Sequence, residues 1–239
     1  GAGLVSLLAE LCPSEISGLS LQKDHEVMLQ FFQPNNNFID ISTWLEKKSC
    51  MIIGPGLSDN EQNVTRMKNI LSHSQVPMVI DATGLDLLKK VLDDNPEILS
   101  SRKTDSLVIT PHLGEMSRLL RKKISEIQKD RVGFAQDIAK KWHAIVVLKG
   151  AQTVIADDEG QTAINDIDEI ALSTAGSGDV LSGMLGAVCG RAGISFENVT
   201  FTVFLHAIAG RIASENLHQQ SVMAEDIINN IPKAFKKYF

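Results

Sequence analysis

Cysteine is scarce in this chain, and its few cysteines are far apart. The sequence has three, Cys12, Cys50 and Cys189, and none belongs to a Cys-x-x-Cys pair. Disulfide frameworks need an even set of cysteines, and structural zinc sites need closely spaced ones. The sequence therefore argues against both, and we expect a reducing, cytoplasmic environment.

Long apolar stretches and basic tracts are also missing. No apolar run approaches the roughly 18 residues of a membrane-spanning helix, so we expect no membrane insertion. Lysine and arginine number 23 against 29 aspartates and glutamates, for a formal net charge of −6. Because a nucleic-acid interface needs a basic face, we do not expect a nucleic-acid partner. The chain opens at Gly1 without a basic segment before an apolar stretch, so we expect no signal peptide.

What is present is the composition of an ordinary globular domain. Hydrophobic residues make up 44% of the chain and charged residues 22%, which are typical values for globular proteins. A chain of 239 residues can bury a sizeable core, and one α/β domain of this length is common. We therefore predict a single domain over residues 1–239.

Short apolar runs rich in β-branched residues recur, and most are followed by a helical pattern. This alternation predicts parallel βαβ units. The turn signal Asp157-Asp158-Glu159-Gly160 separates Thr153–Ala156 from Thr162–Ile164, which predicts a β-hairpin and hence a mixed sheet. The predicted parallel strands are Met51–Ile53, Pro77–Ala82, Ser106–Thr110 and Ala144–Leu148. The predicted helices are Asn60–Ser72, Ser125–Trp142 with a Ser125/Gln128 capping box, Asp179–Arg191, Val199–Leu217 and the chain from about Ala224.

The most informative segment is a loop of small residues, Ser173–Gly178, that runs directly into an apolar helix. Such a loop exposes backbone N–H groups beside the positive end of a helix dipole, which suits an anionic oxygen or phosphate. Asp179 follows at once, and its carboxylate repels phosphate unless it accepts a proton from an attacking hydroxyl or helps to hold a metal. An N-capping Asp after a flexible loop is the alternative, because Gly-rich loops are weak motifs.

Lys149 and Gly150 end a buried-looking strand. The ligand crevice of an α/β sheet lies near strand ends, where a lysine and neighbouring N–H groups can hold nucleotide phosphates. A hairpin with a surface lysine is the alternative.

His112 and Glu115 follow another predicted strand, in Thr110-Pro-His-Leu-Gly-Glu. Both can face the crevice; a structural histidine and a glutamate that complements the helix dipole are the alternatives. Small loops at Gly54–Ser58 and Asp81–Gly84 close two more strands. Four loops at strand ends would converge on one edge of the sheet, where doubly wound folds bind ligands.

In order and spacing, these motifs resemble the carbohydrate-kinase-like domain of the NAD(P)HX dehydratases, over essentially the whole chain. Sugar kinases share only the Gly-x-Gly-Asp element, so Thr-Pro-His-x-Gly-Glu is the discriminating one. The resemblance implies a ribokinase-like α/β fold, with a mostly parallel central sheet flanked by helices on both faces. The matching segments are Gly54-Pro-Gly-Leu, Asp81-Ala-Thr-Gly-Leu, Thr110-Pro-His-Leu-Gly-Glu, Leu148-Lys-Gly-Ala-Gln-Thr and Gly176-Ser-Gly-Asp-Val-Leu.

The resemblance also implies an activity and a site. The implied enzyme is a hydro-lyase that uses ADP or ATP to dehydrate the S epimer of NADHX or NADPHX. Phosphate leaves more readily than hydroxide, so the hydroxyl would be phosphorylated, with Asp179 as the catalytic proton acceptor, before phosphate is eliminated. Mg²⁺ is the implied cofactor, and Glu115 would serve the phosphates through it. The implied nucleotide-binding residues are Lys149, Gly150, Ala151, Gln152, Thr153, Gly176, Ser177 and Gly178, and the implied substrate-binding residues are Gly56, His112 and Asp179.

The sequence departs from the family pattern at three places. The family's first strand and helix are not found before Gly1, so either the chain is shortened or cleaved here, or another chain supplies this piece, or dinucleotide binding is impaired. Asp168 and Glu169 replace a glycine and an amide, which adds negative charge near a polyphosphate. Ala175 replaces a usual glycine, and a positive φ there would cost about 1–2 kcal/mol.

Two alternatives to the dehydratase therefore stay open. One is a small-molecule hydroxyl kinase of the same fold, and the other is a degenerate nucleotide-binding subunit. The residues do not separate ADP from ATP. A homo-oligomer is also open, because Phe201, Phe204 and Ile208 form either an interface or a core-facing stripe on the predicted helix Val199–Leu217.

Overall fold

The computed structural model describes residues 5–9, 27–31, 45, 47–100, 102, 106–167 and 170–238. Within these ranges the strands are β1 (Val5–Ala9), β2 (Val27–Phe31), β3 (Met51–Ile53), β4 (Met78–Ile80), β5 (Leu107–Ile109), β6 (Ile145–Leu148), β7 (Thr153–Ala156) and β8 (Thr162–Asn165). The α-helices are α1 (Glu61–His73), α2 (Thr83–Asp94), α3 (Leu113–Leu120), α4 (Ile124–Lys129), α5 (Arg131–Trp142), α6 (Ser177–Ala192), α7 (Phe196–Asn216) and α8 (Ala224–Tyr238). Short 3₁₀ helices lie at Ile170–Ser173 and Gln219–Ser221.

The main sheet contains β3 to β8 in chain order. Neighbours from β3 to β6 run parallel, whereas β6–β7 and β7–β8 are antiparallel. The predicted βαβ units and the hairpin are therefore confirmed, and each observed strand in this part overlaps its predicted run. The strands β1 and β2 pair in parallel as a second sheet, which the sequence analysis does not predict.

Helices cover both faces of the main sheet, as the resemblance implies. Successive residues of β4 alternate between the faces, because Met78 and Ile80 join one buried cluster while Val79 joins another. Helices α1 to α5 pack on the first face, and α6 with the start of α7 packs on the second. A parallel strand that is buried on both faces reads as a continuous apolar run, which explains the sequence pattern.

The predicted helix Ser125–Trp142 is wrong in its continuity and in its cap. The chain forms two helices, α4 and α5, that are separated at Asp130. The Asp130 carboxylate accepts the Gly133 N–H at 2.9 Å and so begins α5. At the start of α4, the Glu126 carboxylate accepts the Lys123 N–H at 2.9 Å, so Ser125 and Gln128 do not form the predicted capping box.

The stripe on α7 faces the protein interior. Ile208 is buried. The rings of Phe201 and Phe235 pack edge to face with centroids 6.4 Å apart, and those of Phe204 and Tyr238 do so at 4.9 Å. Both partners belong to α8, so the core-facing interpretation is confirmed. Among the helices that the structure describes, none combines the length and apolar character needed to cross a membrane.

Strands β3 and β4 lie very close together at their carboxyl ends. The Asp81 N–H donates to the Ile53 carbonyl at 3.2 Å. Gly54 has φ +129°, and a Cβ on it would lie 1.8 Å from the Asp81 carbonyl oxygen. This contact leaves no room for a side chain, so Gly54 allows the two strand ends to approach each other.

We expect Gly54→Ala to destabilise the fold by about 2–4 kcal/mol, because it adds both a clash and backbone strain. Gly183→Ala is the matched control, since a Cβ there would meet nothing within 4 Å in the described chain. This helical control should raise stability by about 0.5–1 kcal/mol. Urea unfolding of the three proteins measures both effects, and equal stability of the two variants would contradict the close approach.

Candidate active site

The carboxyl ends of β3 to β6 carry Gly56, His112, Glu115 and the loop 149–153 to one edge of the sheet, while the predicted site residues 176–179 lie at the start of α6. These four strands are parallel neighbours, so the loops that follow them lie side by side. The Lys149 N–H donates to the Pro111 carbonyl at 2.8 Å, and His112 pairs with Lys149 in a parallel bridge. A Cβ on Gly56 would meet no described atom within 4 Å, so this glycine borders open space beside the same edge.

Lys149 is the central cation of this edge. Its Nζ lies 2.6 Å from Asp81 Oδ1 and 3.9 Å from Glu115 Oε2. A Cβ on Gly178 would be 3.4 Å from the same Nζ, so the ammonium also lies against the start of α6. Only 19% of the Lys149 side chain is exposed, and the surface-lysine interpretation is therefore wrong.

Asp81 is a site residue that the sequence analysis places in a strand-end loop without giving it a role. Its side chain is buried and accepts hydrogen bonds from Lys149 Nζ at 2.6 Å and Ser182 Oγ at 2.7 Å. Burial alone would raise the pKa of Asp81, but the Lys149 ammonium and hydrogen bonds from Lys149, Ser182 and Thr110 lower that pKa overall. Asp81 is therefore a buried carboxylate that fixes the position of Lys149.

His112 and Glu115 cap the N-terminus of α3 together. The Glu115 N–H donates to His112 Nδ1 at 3.1 Å, and the His112 N–H donates to Glu115 Oε2 at 2.7 Å. The His112 side chain is 54% exposed, whereas Glu115 is buried. The structural alternatives for both residues are thus correct as a description of their local role, but Glu115 also lies beside Lys149 at the crevice.

The donors for a metal ion are few. Within the described ranges no group of three or more His, Cys, Asp and Glu side chains is arranged to hold a metal. The second oxygen of Glu115, Oε1, lies 3.4 Å from His112 Nε2. Mg²⁺ commonly takes one or two protein carboxylates and fills its other positions with water and phosphate. A single carboxylate such as Glu115 fits a Mg²⁺ ion that is bound together with the phosphates of a nucleotide.

The first turn of α6 provides unpaired N–H groups. The Ser177 N–H donates to the Thr174 carbonyl at 3.3 Å, whereas the N–H groups of Gly178 and Asp179 have no backbone acceptor in the described chain. With the positive end of the helix dipole, these two donors suit an anionic oxygen. The Lys149 ammonium beside Gly178 adds a full positive charge to this anion site.

Asp179 does not cap the helix. Gly176 is the N-cap residue and has φ 84°, so Asp179 occupies the third helical position. Its carboxylate is exposed, and in the described part of the chain it makes no hydrogen bond or ion pair. The N-cap alternative is therefore wrong, and this free carboxylate is available to accept a proton.

The expected strain at Ala175 is also absent. The left-handed non-glycine residues of the described chain are Ala82, Arg121, His143 and Gln152, and the positive φ in this loop falls on Gly176. Ala175 therefore does not have the positive φ, or the strain energy, that its replacement of a family glycine predicts. Asp168 and Glu169, the acidic departure, lie outside the described residues.

A buried histidine on α7 contacts the first residue of α6, next to the anion site. His206 on α7 is 5% exposed, and its Nε2 lies 3.3 Å from Ser177 Oγ at the start of α6. Burial lowers the pKa of His206 to about 4, so the imidazole is neutral near pH 7. The sequence analysis missed this residue, because a lone histidine in an apolar helix carries no local signal of its partner.

Solved structures define the fold class of this chain. A ribokinase-like superfamily protein from Enterococcus faecalis V583 matches with a TM-score of 0.80 and 22% identity, covering 100% of this chain and 78% of that one. The ADP/ATP-dependent NAD(P)H-hydrate dehydratase from Bacillus subtilis, co-crystallised with ATP/Mg²⁺, matches with a TM-score of 0.74 and 23% identity, covering 92% and 74%. At these identities the likeness establishes the fold, which is ribokinase-like.

Sequence comparison then gives the family. The profile of the NAD(P)H-hydrate dehydratase family matches residues 1–233, and the chain belongs to that family. A bifunctional NAD(P)H-hydrate repair enzyme of Moorella thermoacetica is 34% identical over 97% of this chain and 44% of its own length. An ADP-dependent (S)-NAD(P)H-hydrate dehydratase of Neisseria meningitidis is 31% identical over 80% and 62%. The chain thus spans less than two thirds of the length of these relatives.

We expect Lys149→Met to lower the free energy of unfolding by about 3 kcal/mol, because it leaves the Asp81 carboxylate buried without its cation. The double variant Lys149→Met, Asp81→Asn should regain part of that loss, since the unpaired charge is gone. Lys90→Met, which removes an exposed pair with Asp59, is the control and should change stability little. Chemical denaturation measures all four proteins, and a double variant no better than Lys149→Met would contradict the charge argument.

We also expect His206 to make stability depend on pH. The folded protein protonates His206 only near pH 4, whereas the unfolded chain does so near pH 6.5. Acid therefore favours unfolding between these values, and the loss should reach about 2 kcal/mol at pH 5 relative to neutral pH. Urea unfolding of wild type and His206→Gln at pH 7.5 and pH 5 should show a steeper loss in wild type. Equal losses would mean that His206 is not buried in its neutral form.

Proposed function

We propose that this chain dehydrates (S)-NADHX and (S)-NADPHX to NADH and NADPH with ADP or ATP as co-substrate. The observation that carries the proposal is the first turn of α6. It has two N–H groups without a backbone acceptor, the Lys149 ammonium beside Gly178, and the exposed carboxylate of Asp179 at the third helical position. An anion site beside a proton acceptor is what phosphoryl transfer to a hydroxyl requires. Membership of the NAD(P)H-hydrate dehydratase family supplies the substrate.

Asp179 accepts the proton of the ring hydroxyl as the hydroxyl oxygen attacks the terminal phosphoryl group of the nucleotide. The bond from that phosphorus to the bridging oxygen breaks, which releases AMP from ADP or ADP from ATP. The N–H groups of Gly178 and Asp179 and the Lys149 ammonium stabilise the negative charge on the transferred group. In the second step the C–O bond to the phosphorylated oxygen breaks and inorganic phosphate leaves, while the adjacent ring carbon loses a proton to water and a carbon–carbon double bond forms. Phosphorylation matters because phosphate leaves far more readily than hydroxide, and the protein contributes positioning and electrostatics.

The loop Lys149–Thr153 and the turn Gly176–Gly178 bind the nucleotide phosphates in this proposal, while Gly56, His112 and Asp179 contact the hydrated dinucleotide. The open space beside Gly56 and the exposed ring of His112 support that assignment. Glu115 would help to hold Mg²⁺ on the phosphates, where the ion would neutralise charge on the transferred group. The location is proposed to be the cytoplasm, as the cysteine content predicts.

A small-molecule hydroxyl kinase is the second candidate. The same carboxylate and anion site can phosphorylate any hydroxyl that reaches them, so the geometry at α6 favours it equally. The two candidates differ in the fate of the phosphorylated intermediate, which a kinase releases as a stable product. The inactive-subunit alternative loses one of its arguments, because Ala175 is unstrained.

The deciding experiment is incubation with NADHX, Mg²⁺ and either ADP or ATP, followed by recovery of NADH absorbance. We expect nucleotide-dependent recovery, and a loss of about 100-fold or more in kcat for Asp179→Asn, because the proton acceptor is removed. Asp94→Asn, an exposed carboxylate at the far end of α2, is the matched control and should retain full activity. A stable phosphorylated product would favour the kinase, and nucleotide binding without turnover would favour the inactive subunit.

A further inference from the structure

Arg131 occupies an unfavourable position for a cation. It is the first residue of α5, where the positive end of the helix dipole repels it. Its Nε is buried without a hydrogen-bond partner, and no carboxylate of the described chain forms an ion pair with it. Both the helix dipole and the unsatisfied Nε disfavour an arginine here, and no acidic side chain of the described chain offsets them. Another interaction must therefore stabilise Arg131 in this position.

That interaction is with the loop between β6 and β7. Arg131 Nη2 donates to the Leu148 carbonyl at 3.2 Å, and Nη1 donates to the Ala151 carbonyl. These two carbonyls lie on either side of Lys149 and Gly150 in the chain. The planar guanidinium therefore bridges both ends of the segment that carries the central lysine, which a single ammonium group does not do in the same geometry.

The loop itself needs this support. Gly150 has φ +147°, and a Cβ on it would lie 3.2 Å from Arg131 Nη2, so the glycine both turns the chain and makes room for the guanidinium. Gln152 has φ 56°, a left-handed conformation that side chains disfavour. Besides Arg131, the Thr153 hydroxyl donates to the Gly150 carbonyl at 3.0 Å. An irregular, partly strained loop holds one conformation only if its surroundings fix it.

We propose that Arg131 is a positioning residue for nucleotide binding. By holding the carbonyls of Leu148 and Ala151, it fixes the direction of Lys149 and the backbone N–H groups of the loop before the nucleotide arrives. A loop ordered in advance spares the complex the entropy of ordering it on binding. This inference rests on the proposed function, because it requires that the loop Lys149–Thr153 binds the nucleotide.

Arg131→Met and Arg131→Lys test the proposal, with Arg191→Met as the control. Arg191 is an exposed arginine near the far end of α6. Calorimetry should show the dissociation constants of ADP and ATP rising about 10-fold in Arg131→Met, with a similar rise in the nucleotide KM. The kcat at saturating nucleotide and the KM for NADHX should stay within about threefold of wild type, because the reacting groups remain. Arg131→Lys should restore the affinity only in part.

Hydrogen exchange without nucleotide gives a second readout. Exchange at the Lys149 amide, which donates to the Pro111 carbonyl at 2.8 Å, should become about 10-fold faster in Arg131→Met, while α5 stays protected. Wild-type affinity and wild-type exchange in this variant would overturn the proposal, as would full rescue of affinity by lysine. If wild-type protein binds neither ADP nor ATP, the proposed function fails, and the exchange result still decides whether Arg131 orders the loop.

Discussion

The buried ion pair between Lys149 and Asp81 is the constraint on which the site depends. It joins the ends of β4 and β6, and Ser182 on α6 completes the coordination of the carboxylate. A buried pair is a poor source of stability, since removing two charges from water costs much of what their attraction returns. Its value here is positional, because it holds a positive charge beside the first turn of α6.

Uncharged groups fix the surroundings of the Lys149 ammonium and add no further charge at neutral pH. His206 contacts Ser177 from behind the turn and stays uncharged near neutral pH because of its burial. Gly54 lets β3 approach β4 so closely that Asp81 is held by backbone hydrogen bonds as well as by its side chain. The positive field at the anion site therefore comes from one ammonium, two N–H groups and a helix dipole, all fixed before any ligand binds.

The sequence predicts the strands, most of the helices and the sheet edge that carries the site. It does not predict the side-chain contacts that hold the site together. Strand runs and the hairpin follow from apolar periodicity, which burial on two faces imposes directly. The break at Asp130 was missed because α4 and α5 pack on the same face, so their periodicity continues across it. Asp81, His206 and Arg131 act through partners that lie 68, 29 and 17 residues away. Such pairings depend on the tertiary structure, and residue type alone carries no trace of them.

The charge balance of the crevice bears on how a polyphosphate would bind. Lys149 is already paired with Asp81 and lies 3.9 Å from Glu115 Oε2, Arg131 is engaged by two loop carbonyls, and Asp179 adds an exposed carboxylate in the first turn of α6. A bare polyphosphate would thus meet a region with no surplus of positive side chains. The unpaired N–H groups of α6 offset part of its charge, and a divalent cation that enters with the nucleotide would offset the rest. This balance agrees with the proposed use of Mg²⁺ through the phosphates.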